Sequence, residues 1–228
     1  SISKLMSEIG AIKIGNTEIF PYGWRKAAKG RTVWRLVEEV VVQNLEKNPE
    51  RFGLESINPA SSEVGVFDLE LRYSDIPNPV YINIKSAVKG GRTNKDDISK
   101  AVGLIDFLPD HPDDLIFIVT IELDFSPEME VILSNSYVMP TGWLPDLYVN
   151  PSNNGNLQSS KYKDISIAIK RDNAEFLRQQ GNNIYFEVYS RVKEDNDQDD
   201  LGREIKYERR KFKEAKSLNW RLSGVVNW

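Results

Sequence analysis

Hydrophobic residues recur along the chain with two different periods, and the period assigns each segment to a helix or a strand. Between Thr32 and Pro49 they fall at three- and four-residue steps, which predicts an amphipathic helix that Thr32 caps and Pro49 ends. Alternating or continuously apolar segments predict strands over residues 66–71, 80–85, 115–123, 130–133, 165–169 and 183–192. Further helices are expected over residues 96–107, 173–180 and 204–218.

The first two predicted strands form a hairpin. Residues 74–79, rich in proline, asparagine and aspartate, separate them and predict a turn, so the strands are expected to pair antiparallel. Successive side chains of a strand point to opposite faces. Asp68 and Glu70 therefore share one face of the first strand, and Asn83 and Lys85 share one face of the second. We expect these four polar side chains to converge on one side of the sheet.

We expect an α/β fold, with a mixed central sheet flanked by helices and a smaller lobe. The length of 228 residues suits a single domain. Within it we assign residues 32–125 to the core, 139–192 to the lobe and 203–228 to a C-terminal helix and tail. The strand over residues 115–123 is hydrophobic almost throughout and is expected at the centre of the sheet. Residues 140–163 have the composition of a long loop, either functional or disordered.

Composition narrows the classes of function. Hydrophobic residues make up 40% of the chain and no apolar run reaches the ~20 residues of a membrane helix, so a globular protein without membrane contact is expected. The chain has no cysteine, which excludes disulfides and thiolate metal sites and fits a cytoplasmic location. A net charge of −4 does not exclude nucleic acid, because basic residues are concentrated in residues 85–100 and 203–221.

The polar face of the hairpin carries groups that suit phosphodiester hydrolysis. Mg²⁺ prefers carboxylate and carbonyl oxygens. Asp68 supplies a carboxylate, Asn83 an amide oxygen and Ile84 a backbone carbonyl as metal ligands. The ammonium group of Lys85 can stabilise charge on a phosphate or orient a water. The alternative interpretation is a solvated sheet face, since this spacing is common by chance.

Two stretches of the chain resemble the catalytic motif of the PD-(D/E)XK nucleases: Phe67-Asp68-Leu69-Glu70-Leu71 and Ile82-Asn83-Ile84-Lys85-Ser86. That family has an Asp on one strand of a hairpin and an acid-x-Lys triplet on the next. The spacing is most similar to that of the EcoRV-like type II restriction endonucleases. The resemblance implies a Mg²⁺-dependent enzyme that cleaves double-stranded DNA at a short palindromic site with a metal-activated water. It also implies a homodimer, because equivalent half-sites need equivalent subunits.

The resemblance extends beyond the hairpin. Glu38 lies on a helix that corresponds to one with an acidic residue near the metal site, so it joins Asp68, Asn83 and Lys85 as a catalytic residue. A Gly- and Asn-rich segment of the smaller lobe corresponds to a major-groove recognition loop, and residues 57–62 correspond to a minor-groove loop. The DNA-binding residues expected from these segments and from the basic stretch after the hairpin are Lys89, Arg92, Asn154, Gly155, Asn156, Gln158 and Ser62.

Asn83 departs from the motif, since the family has Asp or Glu at this position. One interpretation is an engineered Asp-to-Asn change, after which the chain binds DNA but cleaves it roughly a thousandfold more slowly. The other is a natural variant in which Glu38, Glu63 or Glu70 supplies the second acid. Two other functions also stay open: a structure-directed repair nuclease, and a non-catalytic DNA-binding domain with the same fold.

Overall fold

A computed structural model describes residues 2–25, 29–61, 65–91, 96–150 and 156–177 of the chain. The helices in these ranges are α1 (Ile2–Ile9), α2 (Lys29–Lys47), α3 (Ala101–Phe107) and α4 (Asn173–Phe176). The strands are β1 (Ala11–Lys13), β2 (Ser56–Pro59), β3 (Leu69–Tyr73), β4 (Ile76–Val88), β5 (Asp96–Lys100), β6 (Leu115–Phe125), β7 (Glu130–Pro140), β8 (Tyr148–Asn150) and β9 (Asn156–Ser159). None of the helices described is both long enough and apolar enough to cross a membrane.

Six of the strands form a mixed sheet in the order β1-β7-β6-β4-β3-β2. β4 and β6 run parallel, from the pair Val80–Leu115 to the pair Val88–Leu123. All other neighbours in this sheet are antiparallel, including the hairpin of β3 and β4. The remaining strands form a small sheet in the order β5-β9-β8. The predicted α/β fold with a mixed central sheet is confirmed, and β6 lies between two strands as its hydrophobic sequence indicates.

Alternation along β4 divides its side chains between two cores. Ile82 and Ile84 belong to the core that contains the apolar stripe of α2. That stripe consists of Val33, Val37, Val41 and Leu45. On the opposite face, Tyr81 packs with Leu104 of α3. β4 is thus covered on both faces, and its polar residues Asn83 and Lys85 lie on the face opposite Ile82 and Ile84.

Several elements differ from the sequence-based expectations. α2 begins at Lys29, so Thr32 lies inside the helix and does not cap it. Residues 96–100, expected to be helical, form β5, which pairs with β9, and Ile98 packs in a core with Ile118 and Met139. The expected loop over residues 140–163 contains β8 and β9.

Residues 165–169 do not form the expected strand. Ile165 to Ile167 is a short 3₁₀ turn, and Ile165, Ile167 and Ile169 are all exposed. The Asp164 side chain accepts a hydrogen bond from the backbone N–H of Ser166, which stabilises a turn at this point. The predictions for residues 183–192, 204–218 and the C-terminal tail lie outside the described residues, and the division of the chain into a core and a lobe stays a prediction.

The packing of α2 can be tested with two identical substitutions on one helix. Leu45 is fully buried, whereas Leu36 is 41% exposed. We expect Leu45→Ala to lower the free energy of unfolding by about 2–5 kcal/mol, because it leaves a cavity in the core. Leu36→Ala should change it by less than about 0.5 kcal/mol. Urea unfolding measures both values, and equal losses would contradict the assignment of the buried face.

Candidate functional site

The candidate site lies where β3 begins, beside the continuing strand β4. β3 pairs with β4 only from Leu69 onward, while β4 extends to Val88, so among the described residues no strand pairs with this part of the β4 edge. Asp68 occupies the start of this gap. Its backbone N–H donates to the carbonyl of Ile82 at 2.8 Å, and its Oδ2 accepts a hydrogen bond from the N–H of Ile84 at 2.5 Å. The N–H and C=O groups of one strand residue point to the same side, so the carbonyl of Ile84 faces this open edge too.

A cavity of about 200 Å³ opens at this edge. Because β3 does not close it, elements from both faces of the large sheet contribute to its wall. From α2 and the large sheet, the lining side chains include Arg35, Glu38, Asp68, Asn83 and Lys85. From the small sheet they are Asp97, Ser99, Lys100 and Asn156. The structure therefore brings together the four residues that the sequence analysis expects to be catalytic, although their roles stay predictions.

Glu70 does not join them. Its Oε1 pairs with Arg72 at 2.9 Å, and Glu70 is not among the residues that line the cavity. Asp68, Asn83 and Lys85 therefore meet in the cavity, whereas Glu70 lies opposite Tyr81 in the pairing of β3 with β4 and does not reach it. Of the acids considered as a partner for Asp68, Glu38 lines the cavity, and Glu63 lies outside the described residues.

Asn83 is held by its amide nitrogen. Only 6% of the residue is exposed, and Nδ2 donates to the carbonyl oxygens of Val66 at 3.0 Å and Ile98 at 3.1 Å. Since only the nitrogen of an amide can donate, these two bonds fix its orientation. Within the described part of the chain, Oδ1 is buried and accepts no hydrogen bond, and the same is true of Ser99 Oγ in the cavity wall. A buried oxygen without a partner costs free energy, and a ligand that reached either atom would offset that cost.

The carboxylates of the cavity are held in an environment that disfavours negative charge. Burial and the nearby charge of Asp68 raise the pKa of Glu38 to about 7, although Lys85 and Arg35 oppose the rise. The pKa of Asp68 is also raised, chiefly by burial, against the hydrogen bond from Ile84 and the charge of Lys85. A bound cation favours the charged forms and reverses both shifts.

The small sheet presents a hydrogen-bonded polar network to the cavity. Lys100 Nζ donates to Asn156 Oδ1 at 2.5 Å, and Asn156 Nδ2 donates to Asp97 Oδ2 at 2.8 Å. The side chain of Gln158 joins through Asp97 Oδ1 at 2.7 Å. Sequence reasoning missed Asp97 and Ser99 as cavity residues. The signal for them is the alternation of polar residues around Ile98, which is typical of a strand. The expected helix over residues 96–107 hides this alternation.

Two other residues predicted to bind DNA, Lys89 and Gln158, are described by the structure and do not line the cavity. Lys89 is exposed beyond it, and its Nζ pairs with Asp124 at 3.3 Å. The structure places Gln158 beside the cavity, as part of the network through Asp97. The remaining residues predicted to bind DNA lie outside the described part of the chain: Ser62, Arg92, Asn154 and Gly155.

The architecture defines a class of fold, the restriction-endonuclease-like fold. Among solved structures, the chain is similar to one described as NlaIV restriction endonuclease, with a TM-score of 0.52 and 14% sequence identity. The likeness covers 86% of this chain and 77% of that one. At this identity it establishes the fold alone. No protein-family profile and no curated protein matches the chain.

The environment of Glu38 predicts a pH dependence of stability. Its pKa is raised from the ordinary 4.5 to about 7, so the folded protein binds this proton more tightly than the unfolded chain. The stabilisation from the protonated form is complete below the unfolded value and is lost as pH rises through about 7. Glu38→Gln has no titrating group at this position and escapes this loss. The difference in free energy of unfolding between the variant and wild type should therefore shift in favour of the variant from pH 5 to pH 8.

Urea unfolding without divalent cations at the two pH values measures this difference. Glu46→Gln, at an exposed position on the same helix, is the control and should keep the pH dependence of the wild type. A difference between Glu38→Gln and wild type that stays constant with pH would contradict the prediction.

Proposed function

We propose that this protein is a Mg²⁺-dependent nuclease that cleaves phosphodiester bonds in double-stranded DNA. One observation carries the proposal: the side chains of Asp68, Glu38, Asn83 and Lys85 line a single cavity. Carboxylates and neutral oxygens bind a hard cation, and a neighbouring ammonium group contacts a phosphate. The likeness of the fold to a restriction endonuclease supports the same conclusion.

The donor atoms fit Mg²⁺ rather than a metal that needs many protein ligands. In the described residues, no three His, Cys, Asp or Glu side chains are grouped closely enough to hold a metal by themselves. Mg²⁺ is commonly bound by one or two carboxylates and keeps several waters. We assign Asp68, Asn83 Oδ1 and the Ile84 carbonyl as metal ligands, with Glu38 as the second carboxylate.

Each residue then has a defined task in hydrolysis. When bound, a divalent cation neutralises phosphate charge and lowers the pKa of a water. Asp68 is fixed by the N–H of Ile84, so its carboxylate keeps one position relative to β4. Lys85 comes from the same strand, two residues after Asn83, and carries its positive charge close to both carboxylates. In this position it can stabilise the negative charge that develops on the phosphate oxygens.

Within this class we propose a type II restriction endonuclease of the EcoRV-like kind, acting as a homodimer at a short palindrome in the cytoplasm. The hairpin motif supports this assignment, with Asp68 before one strand and Asn83-Ile84-Lys85 on the next. The DNA-contacting residues are those named from the sequence. Of these, Asn156 and Gln158 belong to the small sheet beside the cavity. A two-fold dimer places two cavities on equivalent halves of such a site.

The amide at position 83 favours a second candidate function, a DNA-binding domain without catalysis. An acid normally occupies this position of the motif, and its loss removes one negative charge from the cation site. A structure-directed repair nuclease is distinguished by where it cuts. A fixed set of DNA ends supports restriction, whereas cleavage at mismatches or junctions supports repair.

Cleavage of supercoiled plasmid in Mg²⁺ tests the proposal, with Lys85→Ala as the decisive variant. The wild type should give discrete linear fragments. Lys85→Ala should cleave at least roughly a thousandfold more slowly because the phosphate loses its fixed positive charge. Its affinity for the same DNA in Ca²⁺ should stay largely intact. Lys13→Ala, which removes an exposed lysine of β1, is the charge-matched control and should cleave like the wild type.

Failure of the wild type to cleave at any Mg²⁺ concentration, with DNA binding retained, would support the non-catalytic candidate. Failure to bind DNA as well would remove both functions.

A further inference from the structure

Asn83 is bonded in a way that an aspartate cannot reproduce. Its Nδ2 donates to two backbone carbonyls, at 3.0 Å to Val66 and 3.1 Å to Ile98. A carboxylate has no N–H, and the oxygen that replaced Nδ2 would lie against two carbonyl oxygens. Both bonds would be lost, and two like partial charges would be placed together in a buried position. The surroundings of position 83 therefore need the two N–H donors of an amide, and a side chain of the same shape without them does not fit.

The two acceptors belong to separate segments, each of which contributes neighbouring residues to the cavity wall. Val66 lies two residues before Asp68, whose carboxylate meets the N–H of Ile84. Ile98 is the central residue of β5, and its neighbours Asp97 and Ser99 line the cavity from the small sheet. One amide group thus ties β4 to the segment that carries Asp68 and to the small sheet.

We propose that Asn83 is a positioning residue of this fold and not a substitute for an acid: its amide nitrogen clamps the Asp68 segment and β5 to β4. Its Oδ1 takes no part in these two bonds and is buried without a hydrogen-bond partner among the described residues. That the clamp supports the binding of a cation in the cavity rests on the proposed function. The clamp itself is a property of the folded chain and can be measured without cleavage.

The key variant is Asn83→Asp, which keeps the size and one oxygen of the side chain but removes both N–H donors. Asn173 provides a matched control outside the cavity, because its Nδ2 also donates to two carbonyls, at 3.0 Å to His111 and 2.9 Å to Asp114. We expect Asn83→Asp and Asn173→Asp each to reduce the folding equilibrium constant at least about tenfold in urea unfolding. Asn83→Ala, which removes the donors without adding charge, should lower the folding equilibrium constant by a similar factor. It replaces Asn83→Asp in the comparison if that variant does not fold.

The shift of the thermal midpoint on adding Mg²⁺ separates positioning from a general structural role. Mg²⁺ should raise the midpoint of wild type and Asn173→Asp by the same amount, since binding to the folded state stabilises it. In Asn83→Asp the shift should be smaller than in wild type, although the variant has one more negative charge. If Asn83 merely replaces an acid, the added carboxylate should instead enlarge the shift and speed plasmid cleavage.

An Asn83→Asp variant with wild-type stability and a larger Mg²⁺ shift would overturn the clamp, as would Asn83→Ala with wild-type stability. Failure of the proposed function gives a different result. The wild type itself would then show no Mg²⁺ shift and no cleavage, while the unfolding comparison would still decide whether the amide clamps the two walls.

Discussion

The late start of β3 beside the long strand β4 is the constraint on which the site depends. Before β3 begins at Leu69, the backbone of β4 keeps its polar groups but has no described strand to pair with them, and the Asp68 carboxylate accepts the N–H of Ile84 instead. A completed strand there would have closed the edge and left no cavity. Because the edge stays open, a helix on one face and the small sheet on the other both reach it, and residues distant in sequence share one wall.

The charges of the cavity follow from that location. Burial raises the pKa values of Asp68 and Glu38, so two carboxylates side by side are costly unless positive charge is near. Lys85 and Arg35 provide part of that charge from the protein. A third carboxylate at position 83 would increase the repulsion, whereas an amide offers an oxygen without a full charge. The same electrostatics that make the cavity unfavourable for anions alone make it a suitable place for a cation and a phosphate together.

The parts of the site that follow from periodicity could be predicted, and the parts that follow from tertiary contacts could not. Alternation alone places Asn83 and Lys85 on one face of β4, and the turn between the strands makes Asp68 their neighbour. β5 was predicted as a helix, because local preference does not show that pairing with β9 will decide its conformation. The bonds from Asn83 reach acceptors 17 and 15 residues away, so no local pattern indicates that this position needs an amide. The mixed central sheet was expected together with the resemblance of the hairpin motif to the PD-(D/E)XK nucleases, because periodicity alone does not give the order of the strands.

The location of a bound divalent ion tests the central claim most directly. Mn²⁺ accepts the same oxygen ligands as Mg²⁺ and can be located by its anomalous scattering in crystals of the full chain. The account predicts an anomalous peak in the cavity within about 2.5 Å of an Asp68 carboxylate oxygen, on the side that the Ile84 carbonyl faces. A peak elsewhere on the protein, or a cavity without a peak at saturating Mn²⁺, would contradict it.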